Sequence, residues 1–299
     1  MNDKIARGIW PALVTPFTDD GNDVAIDRVD LLIRHLLDAG AQGFFVCGGT
    51  GEGVAMTVDE RKAMTKATVA SVAGAVPLIF QVGATSTDNA VELAQHAAQI
   101  GADAVASVAP LDQPNDLQAA VTHYRAIGAA TDLPFYVYWI AGTADQSVSA
   151  EQYLDAMATV PNFSGLKFTD SNFYLFQRLV QLGGQHLNLI SGPDEICLGG
   201  MVAGSDAAIG STYNIMPKIF LGIRQNFEAG DIRSAMALQA RANEVISMLF
   251  GFGILAAIKA MMGMRGVAVG PPRAPHTPLD EGRRADLQKA LDELSYAVE

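Results

Sequence analysis

Lys167 is the side chain in this sequence whose surroundings most clearly suggest chemistry. It lies near the end of a short apolar run at residues 163–170, and it is the only lysine between Lys66 and Lys218. An ammonium in an apolar strand is costly unless it is paired or kept neutral. A paired Lys167 would be structural, whereas a neutral amine could attack a keto substrate and form a Schiff base. The residue alone leaves both interpretations open.

A tyrosine and a glycine-rich turn are the next candidates. Alternation along a strand places Tyr136 and Tyr138 on one face, and a phenol at the strand end can shuttle protons or bind a substrate. We interpret Tyr136 as a packed tyrosine with a satisfied hydroxyl. The turn at 47–53 contains Gly49 and Thr50, and its backbone N–H groups could bind a carboxylate or a phosphate. A tight turn without a ligand is the alternative.

Polar residues also follow two later apolar runs. Asp194 and Glu195 begin a helical pattern, where they could complement the helix dipole or contact a substrate. Ser211 lies in a second small-residue segment that is rich in hydroxyl groups.

The positions of the histidines argue against metal-dependent and triad-based catalysis. All five fall in predicted helices, before a strand or in the C-terminal tail, and none follows a strand. A histidine-based metal site or a Ser-His-Asp triad is therefore not expected. One lysine, one tyrosine and several hydroxyls suit amine catalysis on a carbonyl.

A repeated pattern of elements must position these residues. Apolar, β-branched runs alternate with amphipathic helical patterns eight times, which indicates βαβ units and a parallel sheet. Eight units fit a closed (β/α)₈ barrel better than an open doubly wound sheet, whose G-x-G-x-x-G fingerprint is absent after the first run. The predicted strands are 8–14, 43–47, 78–82, 104–108, 135–139, 164–168, 187–190 and 207–210. The predicted helices are 25–40, 59–74, 87–100, 116–130, 149–159, 172–182, 194–203 and 216–229.

The barrel prediction gives the candidate residues a common location, because function in such barrels collects at the C-terminal ends of the strands. Alternation turns Lys167 and Thr169 inward and turns Leu166 and Phe168 toward the helices. Thr57, Ser149 and Asp194 are the expected N-caps of their helices.

The last residues carry only helical patterns, at 231–250, 253–263 and 280–298. We therefore divide the chain into a catalytic barrel, 1–229, and a C-terminal helical region, 230–299.

The composition of the chain limits its possible binding partners and its cellular compartment. The net charge of −12 argues against nucleic acid or an anionic membrane as the partner. Cys47 and Cys197 are the only two cysteines, so we expect a reducing, cytoplasmic setting. We find no signal peptide and no uninterrupted apolar run of the ~20 residues that a membrane span needs.

The ordered motifs of the chain resemble those of the N-acetylneuraminate lyase and dihydrodipicolinate synthase family, nearly end to end. The resemblance implies a (β/α)₈ barrel with a C-terminal helical region, usually a homotetramer, without a metal or an organic cofactor. It implies that Lys167 forms the Schiff base with pyruvate or a related 2-keto acid and that Tyr138 transfers protons. The turn at Gly49 and Thr50 would hold the keto-acid carboxylate. The matching segments are 8–17, 48–52, 165–169, 191–195 and 210–214, together with Tyr138.

Within the family, the segment 210–214 resembles the lyase branch. There, the residues that match Thr169, Gly192, Asp194, Glu195 and Ser211 contact the hydroxylated part of a sugar acid, and all five types are present. The synthase branch uses an arginine shortly after the catalytic tyrosine, and the segment 139–145 contains none.

Two departures from the family pattern concern the proton relay. Gly49 stands where the family usually has the first of two adjacent hydroxyl residues. The segment 110–114 lacks the tyrosine that is usually supplied across a subunit interface, although Asp112 could substitute for it. The Asn-x-Pro that usually follows the catalytic tyrosine is also absent, so we expect an altered substrate specificity.

These observations predict a Schiff-base-forming aldolase or lyase, a carbon–carbon lyase of the class I aldolase type. Its substrates would be a 2-keto acid and an aldehyde. Dihydrodipicolinate synthase and a 2-keto-3-deoxy sugar acid dehydratase are the alternatives. The altered relay also motivates a third hypothesis, a non-catalytic sensor of a sugar acid.

Overall fold

Residues 4–145 and 147–295 are described by the computed structural model of the chain. Within them, eight parallel strands form one sheet in the order β1-β8-β7-β6-β5-β4-β3-β2. The strands are β1 Gly8–Pro11, β2 Phe44–Val46, β3 Leu78–Gln81, β4 Ala104–Ser107, β5 Phe135–Ile140, β6 Phe163–Thr169, β7 Asn188–Ser191 and β8 Ala207–Gly210.

The two end strands of this order meet just beyond β1. Ala12 and Phe45 form a parallel bridge there, and the Leu13 N–H donates to the Phe45 carbonyl over 2.9 Å. The sheet is therefore a nearly closed barrel, and the predicted (β/α)₈ fold is confirmed.

A helix follows each strand, as the repeated pattern predicted. These helices are α1 Val29–Asp38, α2 Val58–Val72, α3 Thr87–Ile100, α4 Leu117–Ala129, α5 Ala150–Met157, α6 Phe173–Gly183, α7 Cys197–Val202 and α8 Pro217–Glu228. The C-terminal helices are α9 Ile232–Phe250, α10 Ile254–Met264 and α11 Glu281–Glu293. The end of the predicted helix at 280–298 lies outside the described residues.

Two of the expected helix caps are formed and one is not. Thr57 and Glu60 make a reciprocal capping box at α2, and Ser149 does the same with Gln152 at α5. The expectation that Asp194 caps its helix is wrong. Asp194 opens a short 3₁₀ turn, Asp194–Ile196, but its carboxylate makes no cap bond there because it reaches across to the end of β8.

Strand alternation separates two apolar layers. Tyr138 belongs to the cluster inside the barrel, whereas Trp139, Leu166 and Phe168 pack in the layer between strands and helices. Lys167 is flanked in sequence by two residues of the outer layer, and its side chain lies inside the barrel next to Tyr138. The inward orientation predicted for these strands is therefore confirmed.

The C-terminal helices return to the barrel. Helix α9 packs on α8 and on the turn Asp194–Ile196, and α10 contacts the turn Thr212–Asn214. The proposed boundary between residues 229 and 230 falls in the short connection between α8 and α9 and stays a prediction. No single helix in the described residues is long and apolar enough to cross a membrane. Helices α9 and α10 together have the length and composition of a membrane span, but the chain bends by 109° between them.

Candidate active site

Lys167 is buried at the C-terminal half of β6, where its side chain is held against aromatic rings. The strand register pairs it with Tyr138 of β5, and Lys167 is 4% exposed. Its Nζ lies 3.9 Å from the centroid of the Tyr138 ring and 5.0 Å from that of Phe45. Nζ donates a long hydrogen bond of 3.4 Å to Thr169 Oγ1. Among the described residues, no carboxylate lies within 4.0 Å of this amine, so the ion-pair interpretation of Lys167 is not supported.

The glycine-rich turn faces the same tyrosine. A Cβ built on Gly49 would lie 3.9 Å from the Tyr138 hydroxyl, and no other atom of the described structure outside the adjoining residues approaches it that closely. Thr15, which follows β1, holds the turn in place, because its Oγ1 donates a hydrogen bond to the Gly51 carbonyl over 2.6 Å. The fold thus places Gly49 beside the Tyr138 hydroxyl, and Thr50 follows it in the same turn.

Asp194 connects the ends of β7 and β8. Its Oδ2 accepts hydrogen bonds from the Thr212 N–H at 2.7 Å, from Thr212 Oγ1 at 2.6 Å and from Ser211 Oγ at 3.2 Å. Burial raises the pKa of Asp194 to about 6, against the opposing effect of the Thr212 hydrogen bonds; Glu195 raises this pKa further, whereas Lys167 lowers it. At neutral pH the group is therefore an anion that faces the cavity beside Lys167.

Gly192 is required by a close approach. A Cβ at this position would lie 2.0 Å from Thr169 Oγ1 and 2.9 Å from the Phe168 carbonyl. Glycine therefore allows the end of β7 to pack on the end of β6. This contact places Thr169, whose hydroxyl accepts the hydrogen bond from Lys167, at the wall of a cavity that Gly192 also lines.

The outer cavity has a volume of about 340 Å³ and collects the predicted sugar-binding residues. Thr169, Gly192, Asp194, Glu195 and Ser211 all line it. The site therefore has two adjoining parts. The inner part holds the Lys167 amine, the Tyr138 phenol and the glycine-rich turn, and the outer cavity is lined by hydroxyl and carboxylate groups.

Some lining residues could not be inferred from the sequence. Ile246 of α9 and Ile254 at the start of α10 close one wall of the cavity, and Phe45 lies beneath Lys167. In the sequence these residues are ordinary members of apolar runs. Only the packing of the C-terminal helices on the barrel brings Ile246 and Ile254 to the site.

The other notable residues lie elsewhere. The Tyr136 hydroxyl donates to Asn188 Oδ1 over 3.0 Å, which confirms its structural interpretation. Asp112 is exposed and lines a separate surface cleft with Thr85 and His123. Within the described residues, no group of three or more His, Cys, Asp or Glu side chains is arranged to hold a metal ion.

The fold and this arrangement of an amine, a phenol and a polar cavity are those of a barrel enzyme whose site lies at the C-terminal ends of its strands. Residues 5–294 match the model of the dihydrodipicolinate synthetase family. The chain is 34% identical over 293 residues to an N-acetylneuraminate lyase of Citrobacter koseri, covering 97% of this chain and 98% of the relative. It is 35% identical over 288 residues to an uncharacterised DapA-like lyase of Halobacterium salinarum, covering 96% of this chain and 94% of the relative.

The fold of a solved structure supports the same family relationship. The N-acetylneuraminate lyase of Proteus mirabilis superposes with a TM-score of 0.91 at 31% identity, covering 97% of this chain and 99% of that one. This chain belongs to the dihydrodipicolinate synthetase family. It is an enzyme of the aldolase type, a carbon–carbon lyase.

The titration of Asp194 gives a testable pH dependence. Its folded-state pKa of about 6 lies above the ordinary value of 3.8, so the folded protein binds this proton more tightly than the unfolded chain does. The stability from this group is complete below the ordinary value and is lost as the pH rises through about 6. Relative to Asp194→Asn, the free energy of unfolding of the wild type should fall by roughly 2 kcal/mol between about pH 4 and about pH 7. Urea unfolding of both proteins across this range measures the difference, and a difference that does not change with pH would contradict the assignment.

Proposed function

We propose that this enzyme is a Schiff-base-forming aldolase or lyase that cleaves or forms a C–C bond in a 2-keto sugar acid, with a pyruvate-type keto acid as one partner. The observation that carries the proposal is Lys167, an amine buried at the barrel mouth 3.9 Å from the ring centroid of Tyr138, with no contacting carboxylate among the described residues. The relatives named N-acetylneuraminate lyase support this substrate class.

In the proposed reaction, the neutral amine of Lys167 attacks the C2 carbonyl, and loss of water gives an iminium. Tyr138 gives its hydroxyl proton to the departing water, and the resulting phenolate takes the proton from the C4 hydroxyl as the C3–C4 bond breaks and the aldehyde leaves. The bonding electrons pass into an enamine at C3. Tyr138 then donates this proton to C3, which regenerates the iminium. Water hydrolyses the iminium, and its surplus proton returns to Tyr138 as the keto acid leaves and the amine is restored.

The turn and the cavity supply the binding groups in this proposal. Backbone N–H groups at Gly49 and Thr50 would hold the keto-acid carboxylate. Thr169, Gly192 and Ser211 would contact the hydroxylated tail, and Asp194 and Glu195 would accept hydrogen bonds from it. The hydroxyl groups of a sugar acid suit this cavity, because they can donate hydrogen bonds to the carboxylate oxygens of Asp194 and Glu195.

A synthase acting on aspartate semialdehyde is less well supported. Its substrate carries a second carboxylate, which needs a cation nearby. Asp194 and Glu195 line the outer cavity with Ala141, and none of the described lining residues is cationic. Like charges in this space would repel such a substrate. A dehydratase that works through the same iminium shares the residues proposed here.

We also propose a homotetramer and a cytoplasmic location. The family resemblance supports the first. The second is supported by Cys47 and Cys197, which are buried and unpaired as expected of a reducing compartment.

Trapping the imine tests the proposed nucleophile. Wild-type enzyme treated with pyruvate and borohydride should gain the mass of one reduced pyruvyl group on Lys167, because borohydride reduces an imine to a stable amine. Lys167→Ala should gain none, and Lys289→Ala, which removes an exposed lysine of α11, should behave as the wild type. Labelling of another lysine, or none with any of several 2-keto acids, would refute the proposal.

Tyr138→Phe tests the proton transfer. The variant keeps the ring against Lys167 but loses the hydroxyl, so kcat should fall by roughly 10²–10⁴-fold while imine trapping persists. Steady-state turnover of a sugar-acid substrate and the trapping assay measure the two steps separately. A kcat within threefold of the wild type, or a loss of trapping in a folded variant, would show that Tyr138 has another role.

Gly49→Ser tests the altered relay. A serine hydroxyl at this position would reach the Tyr138 hydroxyl, because the built Cβ already lies 3.9 Å from it. One added hydrogen bond of about 1 kcal/mol predicts a roughly fivefold rise in kcat. Gly49→Ala is the matched control, since it adds the Cβ without the hydroxyl. Equal kcat values for the two variants would contradict this prediction.

A further inference from the structure

The glycine-rich turn ends in a buried charge that the proposed reaction does not use. Glu52 is 3% exposed and adopts the left-handed conformation, with φ at 54°. Its Oε1 lies 2.5 Å from Nζ of Lys259 in α10, and both side chains are 1% exposed. An isolated buried charge is costly, so each of these groups depends on the other.

The segment after α10 completes the enclosure of this pair. The Arg273 N–H donates to Glu52 Oε2 over 2.6 Å, and Lys259 Nζ donates to the Pro271 carbonyl over 3.2 Å. Phe17 lies between the two cations, 4.2 Å from Lys259 Nζ and 4.2 Å from the Arg273 guanidinium. Residues from the first βα loop, the second βα loop and the C-terminal region therefore meet behind the turn.

A short path of hydrogen bonds leads from this pair to the keto-acid side of the turn. The Glu52 N–H donates to the Gly49 carbonyl over 3.0 Å, and the Gly53 N–H donates to the Gly48 carbonyl over 3.1 Å. The conformation of Gly49 and Thr50 is thus coupled to the position of the Glu52 backbone. That backbone is held in a conformation that a non-glycine residue adopts only at an energetic cost.

We propose that Glu52 and Lys259 are positioning residues, which fix the turn so that its N–H groups can bind the keto-acid carboxylate. This inference rests on the proposed function. Apolar residues of similar size commonly replace buried ion pairs without loss of stability, so stability alone is a weak reason for this pair. Its location directly behind the turn gives it a specific role in binding.

The double variant Glu52→Gln/Lys259→Met tests the proposal, because it removes both charges and leaves neither unpaired. The half-saturating pyruvate concentration in borohydride trapping at Lys167 should rise roughly tenfold, with labelling at saturation unchanged, since only binding is weakened. Lys62→Met/Glu92→Gln is the matched control. It removes a more exposed Lys–Glu pair between α2 and α3 and should leave the half-saturating concentration at the wild-type value.

A second variant covers the case in which the double variant does not fold. Glu52→Asp keeps the charge and suits the left-handed backbone at least as well, but it draws the carboxylate away from Lys259. The half-saturating concentration should rise several-fold in this variant as well.

The pH profile separates positioning from a purely structural role. The charged groups that face Lys259 are Glu52 on the turn and Arg273 on the following segment. Burial lowers the pKa of Lys259 to about 8, Glu52 opposes this shift, and Arg273 adds to it. The half-saturating concentration of the wild type should therefore rise above about pH 8. Lys259→Arg should lack this rise, whatever its half-saturating concentration at neutral pH, because arginine keeps its charge.

Wild-type half-saturation in either folded Glu52 variant, or the same rise above about pH 8 in Lys259→Arg, would overturn the proposal. These outcomes differ from failure of the proposed function, in which the wild-type enzyme itself would not be labelled at Lys167.

Discussion

The site depends on one constraint: among the described residues, no carboxylate contacts the buried lysine Lys167. Two lysines are buried in the described part of the chain, and their surroundings differ. Lys259 is 2.5 Å from Glu52 and is held as half of an ion pair. Lys167 instead lies against the rings of Phe45 and Tyr138, and no carboxylate of the described residues lies within 4.0 Å of its amine. The ion pair of Lys259 suits a structural role, whereas the surroundings of Lys167 suit a nucleophile.

The barrel enforces this difference through the period of its strands. Leu166 and Phe168 must pack under the helices, so Lys167 between them must point inward. A slip of one residue would carry the amine into the outer apolar layer and lose that packing. The same geometry brings the ends of β5, β6, β7 and β8 together, which is why a phenol, a hydroxyl and two carboxylates from distant parts of the sequence meet at one end of the barrel.

The sequence was sufficient for those features that have a local pattern. The repeated strand and helix runs predicted the barrel, and alternation predicted the orientation of Lys167 and Tyr138. Asp194 was misread as a cap because an acidic residue at a helix start looks the same whether its carboxylate turns back to its own helix or reaches Thr212. The contribution of Ile246 and the pairing of Lys259 with Glu52 could not be predicted, because they arise when the C-terminal helices pack on the barrel. Such long-range contacts leave no local periodicity.

The central claim is that Lys167 converts a 2-keto acid into an enamine, and hydrogen exchange at the pyruvate methyl group tests it without knowledge of the aldehyde partner. An enamine takes a deuteron at C3 from D₂O each time it reverts to the iminium. Proton NMR should show loss of the methyl signal with the wild-type enzyme and no loss beyond the buffer rate with Lys167→Ala. Exchange at the wild-type rate in Lys167→Ala, or no exchange at saturating pyruvate in the wild type, would contradict the account.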